Sequence, residues 1–124
     1  MLFRSGLNFA GNQGETPEVP QVAVLNFMKT DIADGYEYEK AENSLNSGSL
    51  GDRLGWGLLK RLDELGDNVY NNYMTVDFYD SWQTMMKTRE QTLKMPKQMQ
   101  SVVNMRAHLN SVALWRAVSV RPNQ

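Results

Sequence analysis

The chain has 124 residues, a formal net charge of −1 at pH 7 and no cysteine. That length suits one domain. Its interspersed charges exclude the basic stripe that nucleic acid or an anionic membrane surface would need, and the missing thiols exclude disulfides, thiolate catalysis and cysteine-ligated zinc.

Leu, Ile, Val and Phe supply 28 residues, about 23 % of the chain, only just above the roughly 20 % below which chains tend to stay disordered. Eight Met and three Trp add apolar surface, so the expected core is lean, as in a subunit that completes itself on a partner. No apolar run approaches the roughly 18 residues that span a bilayer. The opening Met1-Leu2-Phe3-Arg4-Ser5-Gly6-Leu7 has no sustained apolar stretch of the kind a cleaved secretory signal carries.

Residues 1–19 are rich in Gly, Asn, Gln and Glu and read as a flexible leader. A single helical domain is expected over 20–124. Pro20 opens a short helix over 20–34, in which Val22, Leu25, Met28 and Ile32 recur by three and four. Asp34-Gly35 closes it, because Gly takes a left-handed cap without strain. A polar linker follows over 35–48.

Ser49-Leu50-Gly51-Asp52 has the form of a relaxed capping box. It predicts a long helix over 49–75, with Leu50, Leu54, Leu58, Leu62, Leu65, Val69 and Tyr73 along one face. Gly51, Gly55, Gly57 and Gly66 lie inside that span, each costing about 1 kcal/mol relative to Ala. They imply either a close backbone neighbour or a helix that starts late, frays or bends. Further helices are predicted over 80–94 and 96–120. The last carries Met99, Val102, Met105, Leu109, Val112, Ala113, Ala117 and Val120, with Val103, Leu114, Trp115 and Val118 on other sides. A helix apolar on several sides is buried on several sides. The expected fold is all-α, a short N-terminal helix followed by long helices in a hairpin.

No constellation for catalysis or cofactor binding stands out. The sole histidine, His108, has only Asn104, Arg106 and Asn110 as local neighbours. Glu37, Glu39 and Glu42 alternate with Tyr36, Tyr38 and Lys40 and read as a solvated linker. Gly48-x-x-Gly51 and Gly55-x-Gly57 lack the Lys and the strand–turn–helix frame of a phosphate loop. Tyr70, Tyr73, Phe78, Tyr79 and Trp82 read as packing aromatics without a basic groove. The expectation is therefore a non-enzyme with no metal or cofactor. Its subunit interface would comprise Leu50, Leu54, Leu58, Leu62, Leu65, Val69, Met99, Val102, Met105, Leu109, Val112, Leu114, Trp115, Ala117 and Val118.

The order of motifs resembles a known family. Pro20-Gln21-Val22-Ala23-Val24-Leu25-Asn26-Phe27-Met28 is followed by a Gly/Ser/Asn spacer and then by Gly48-Ser49-Leu50-Gly51-Asp52-Arg53-Leu54. The segment from Gln98-Met99-Gln100 to Ala117-Val118-Ser119 completes the series. This layout is similar to the inner-rod (needle-adapter) subunits of bacterial type III secretion systems, although Trp56 and Trp115 stand outside that pattern.

The resemblance implies a structural subunit packing on copies of itself, on the export gate and on the needle. Its place would be the cell envelope, within the periplasmic basal body, reached without a cleaved signal peptide. The competing readings are a phage virion or tail component and a small helical adaptor or chaperone in the cytoplasm.

Overall fold

A computed structural model describes residues 2–9, 19–48, 50–63, 69–92 and 97–117. The elements in chain order are β1 (Leu2–Phe9), β2 (Val22–Lys29), α1 (Gly35–Ser47), β3 (Gly55–Lys60), β4 (Tyr73–Tyr79), α2 (Trp82–Thr92), α3 (Lys97–Val103) and β5 (Ala107–Trp115). The strands form one sheet in the order β1-β3-β4-β2-β5, and every pair is antiparallel. From β2 onward the succession strand–helix–strand–strand–helix–strand is the ferredoxin-like arrangement. β1 extends it at the edge beside β3.

These findings overturn the all-α expectation. Residues 20–34 hold β2, because Val22, Val24, Asn26 and Met28 alternate with less buried neighbours at a period of two. Residues 49–75 hold β3 and the start of β4. Of the predicted capping box, Ser49 lies outside the described residues, and Leu50, Gly51 and Asp52 instead lead a tight turn in which Arg53 N–H donates to the Leu50 carbonyl. Gly51 occupies that turn at φ 61°, where a side chain would be strained. The polar linker over 35–48 contains α1, and the leader contains β1. The last predicted helix is the short α3 followed by β5.

Register assigns the faces. Val22 lies opposite Tyr79, Asn26 opposite Thr75 and Met28 opposite Tyr73, while Trp56 and Leu58 lie opposite Asp77 and Thr75. Directly opposed residues point to the same side of a sheet, so these share one face, and the helices cover it. Tyr38 of α1 and Val102 of α3 pack with Met28, Trp56, Leu58 and Tyr73. Met85 of α2 packs with Val22, Val24 and Tyr79.

Two local details hold the helices in place. Ser81 Oγ caps α2 by accepting the Thr84 backbone N–H. The Trp82 ring stacks on Trp115 of β5 at 6.0 Å and 11°. The opposite face carries Ala23, Leu25 and Phe27 of β2, Met74, Val76 and Phe78 of β4, Leu59 of β3, and Val112 and Leu114 of β5. Among the described residues no helix lies on it.

Candidate active site

The lean apolar core leaves room at the helix–sheet interface for a ring of polar side chains. Tyr38, Glu42 and Asn46 follow one another at intervals of four on α1, so they form one stripe facing the sheet. All three are buried, Glu42 with only 2 % of its surface exposed.

Glu42 accepts from Tyr38 Oη through Oε1 at 2.8 Å, from Asn46 Nδ2 through Oε2 at 3.1 Å, and from Arg106 Nη1. Arg53, just beyond the Gly51 turn, donates through Nη2 to Asn46 Oδ1 at 2.9 Å. Through Nη1 it donates to Asp77 Oδ1 of β4 at 2.7 Å.

From Asp77 the chain of bonds crosses the sheet. Asn26 of β2 donates through Nδ2 to Asp77 Oδ2 at 3.0 Å and to Thr75 Oγ1 at 3.1 Å. Ser111 Oγ of β5 donates to Asn26 Oδ1 at 2.7 Å, and His108 Nε2 lies 2.7 Å from Ser111 Oγ.

The directions of these bonds follow from one group. A carboxylate only accepts, so the Asn26 amide nitrogen must face Asp77 and its oxygen must face Ser111. The Ser111 proton is thereby committed to Asn26, and His108 donates to Ser111 through Nε2–H.

Burial displaces each of these groups from its ordinary value. Burial raises the Glu42 carboxyl above its ordinary value, and this outweighs the opposing pull of Arg106 and the bonds from Tyr38 and Asn46. Burial, then Glu42, raises the Tyr38 hydroxyl. Tyr79 is pushed up to about 12 by burial and then by Asp77. His108 is lowered by burial and then by Arg106, with the Asn110 backbone partly opposing.

The interface therefore joins a carboxyl displaced toward its acid form, a neutral imidazole and two guanidinium groups. A carboxyl raised and an imidazole lowered in this way are moved toward one another, and groups so perturbed are candidates for acid–base work, as the guanidinium groups are for holding a developing anion. Among the described residues no His, Cys, Asp and Glu group is arranged to hold a metal ion, and no helix is long and apolar enough to cross a membrane.

The interface residues expected from sequence are dispersed. Leu58 and Val102 are buried in the core, and Leu50 and Met105 pack against it half-buried. Leu54, Val69 and Met99 are half-buried, whereas Leu62, Leu109, Val112, Leu114, Trp115 and Ala117 are exposed. Leu65 and Val118 lie outside the described residues. The structure does gather Val112 and Leu114 onto one face of the sheet.

Glu42, Asn46, Arg53, Asp77, Asn26 and Ser111 were missed as a group, and so was the setting of His108. The available signal is a carboxylate and an amide four and eight residues beyond Tyr38, in a stretch whose polar composition reads as linker.

No known family pattern and no curated protein matches the sequence. Among solved structures the chain is similar to a point mutant of SnoaB, a cofactor-independent oxygenase from Streptomyces nogalater. Identity is 13 %, the TM-score is 0.55, and the match covers 86 % of this chain and 100 % of that one.

The likeness shows the fold, an α+β sheet shared with an oxygenase, and corrects three expectations. A secretion inner rod and a non-catalytic helical assembly both needed long packing helices over 49–75 and 96–120, and those spans hold β3, the start of β4, the short α3 and β5. The exclusion of enzymatic function rested on the lack of any local constellation, and the fold brings titratable side chains together from distant segments.

Proposed function

We propose that this chain is an enzyme that oxidises a small organic substrate with molecular oxygen, the substrate itself supplying the electrons. The observation that carries the reading is the state of Glu42. It is a buried carboxyl held toward its acid form although Arg106, Tyr38 and Asn46 all donate to it. Ion pairs with this degree of burial contribute little net stability compared with apolar packing, so a purely structural origin is a poor explanation for it. Perturbed acid–base groups concentrate at working sites.

The shared fold with a cofactor-independent oxygenase supports the reaction class. In this reading Glu42 and His108 exchange protons with the substrate and its oxidation product, while Arg106 stabilises the anion formed when the substrate loses a proton. Of the two, His108 is the exposed group and Glu42 the buried one.

The test is oxygen uptake by the purified chain on a panel of polyhydroxylated aromatics and 1,3-diketones, with and without a chelator. Uptake that depends on enzyme and substrate and survives the chelator is expected. Uptake no greater than in buffer across the panel would overturn the proposal.

A further inference from the structure

β5 is not a regular strand. Phe27 lies opposite Asn110 and Met28 opposite His108, so Leu109 is an extra residue, a bulge in β5. Without the bulge, strict alternation would put His108 and Ser111, three residues apart, on opposite faces of the sheet. With it, His108 shares the face that carries the helices with Met28, Asn26 and Ser111. Its Nε2 comes within 2.7 Å of Ser111 Oγ. A bulge also discourages an edge strand from pairing with other chains. That purpose calls for neither a histidine at the turned position nor a line of polar groups behind it.

The line crosses three neighbouring strands, from Asp77 of β4 through Asn26 of β2 to Ser111 of β5. We propose that Asp77 is a positioning residue for His108, fixing the ring proton on Nε2 through Asn26 and Ser111. The inference rests on the oxygenase reading for the use made of His108, but not for the state of its ring. Each bond dictates the next. Arg53 holds Asp77 Oδ1 at 2.7 Å, and Oδ2 accepts from the Asn26 amide nitrogen at 3.0 Å. The amide oxygen then takes the Ser111 proton, and a hydroxyl whose one proton is committed can only accept from Nε2. The Asn110 backbone competes for the ring proton, so the direction of the relay decides where that proton rests. Reversal needs a single atom at the far end. In Asp77→Asn the side-chain oxygen can keep the Arg53 bond while the new nitrogen donates to Asn26. The Asn26 amide then turns over, its nitrogen donates to Ser111, and Ser111 donates to Nε2.

His108 is the only histidine, so isotope-labelled protein gives one pair of imidazole nitrogen signals by NMR. They are read at about pH 8, above the titration of the ring, on variants confirmed folded by circular dichroism. Wild type is expected to carry the proton on Nε2 in most molecules. Asp77→Asn should move it off Nε2, and so should Asn26→Ala, because the freed Ser111 proton turns to the ring. Thr75→Val removes the other partner of the Asn26 amide but leaves Asp77 in place, so it should keep the wild-type signals. A residue that served stability alone would lower the unfolding midpoint without moving them. On a substrate that wild type oxidises, Asp77→Asn should lower kcat about 100-fold with KM nearly unchanged. A wild-type ring protonated mainly away from Nε2 would overturn the inference whether or not either variant folds. So would a wild-type ring in Asp77→Asn, or a reversed ring with unchanged kcat. Absence of oxygen uptake by wild type would instead overturn the oxygenase reading, and the ring signals would still decide the relay.

Discussion

Arg106, the residue before β5, donates through Nη1 to Oε1 of Glu42 on α1, 64 residues earlier in the chain. The contact fastens the start of the last strand to the helix that covers the sheet. Both side chains are largely withdrawn from water, at 14 % and 3 % exposure. Removing one member of such a pair leaves the other charge buried without compensation.

Arg106→Leu is accordingly expected to cost about 3–5 kcal/mol at neutral pH, read as a fall in the urea midpoint. Acid should shrink the loss, because protonation of Glu42 removes the stranded charge. A cost that does not change with pH would show that Arg106 acts through packing alone.

Glu42 also makes stability depend on pH with a definite sign. Its carboxyl is raised in the folded state above the ordinary 4.5, so the native protein holds this proton where the unfolded chain has released it. Its contribution is complete below about 4.5 and is lost as pH rises through the folded value. His108, lowered from 6.5, contributes in the opposite sense. It is present in both wild type and Glu42→Gln, so the difference between those two isolates Glu42. That difference should move in favour of Glu42→Gln as pH rises from about 4 to about 8, measured by urea unfolding along the series.

Asn26 sets the direction of the bonds across the sheet. Asn26→Ala leaves an Asp77 oxygen and the Ser111 hydroxyl without their partner and should cost about 2–3 kcal/mol, visible as a lowered thermal midpoint. Asn26→Asp places a second carboxylate against Asp77 and should be worse at neutral pH than in acid. Equal thermal midpoints for Asn26→Ala and wild type would contradict the arrangement.

Gly35 opens α1 directly beneath Tyr73. A Cβ there would stand 2.9 Å from the Tyr73 hydroxyl oxygen, which is held by Glu39 at 3.1 Å. Helix propensity alone favours Ala by about 1 kcal/mol, but the clash reverses the sign. Gly35→Ala should lower stability by about 1–2 kcal/mol, in the range of overpacked cores. Combined with Tyr73→Phe it should regain most of that loss relative to Tyr73→Phe alone, in a double-mutant cycle of unfolding free energies.

The architecture was only partly legible in the sequence, for reasons visible in particular residues. Leu50, Leu54 and Leu58 recur every four residues as on one side of a helix, but Leu50 and Leu54 belong to the turn before β3 and only Leu58 lies in the strand. Gly55 and Gly57 were the discriminating residues, since each is costly within a helix. In β2 the alternation of Val22, Val24 and Met28 is interrupted by a buried amide, Asn26, which concealed its period. In α1 the buried stripe is itself polar at Glu42 and Asn46, so no apolar pattern announced a helix.

The site was still less legible. The bonds from Arg53 to Asp77, from Asn26 to Asp77 and from Arg106 to Glu42 span 24, 51 and 64 residues, and no local window contains them. The multi-sided apolar character of residues 107–115 was visible, but it belongs to a strand whose side chains are mostly exposed.

The most direct test of the account compares substrate-dependent oxygen uptake by wild type and Glu42→Gln, both confirmed folded at neutral pH. A structural carboxyl and a working one predict opposite pairings of stability and activity. Our account predicts that Glu42→Gln is at least as stable as wild type relative to their difference in acid, yet takes up oxygen at least about 100-fold more slowly, the scale of a lost acid–base group. Uptake by Glu42→Gln equal to wild type would contradict it.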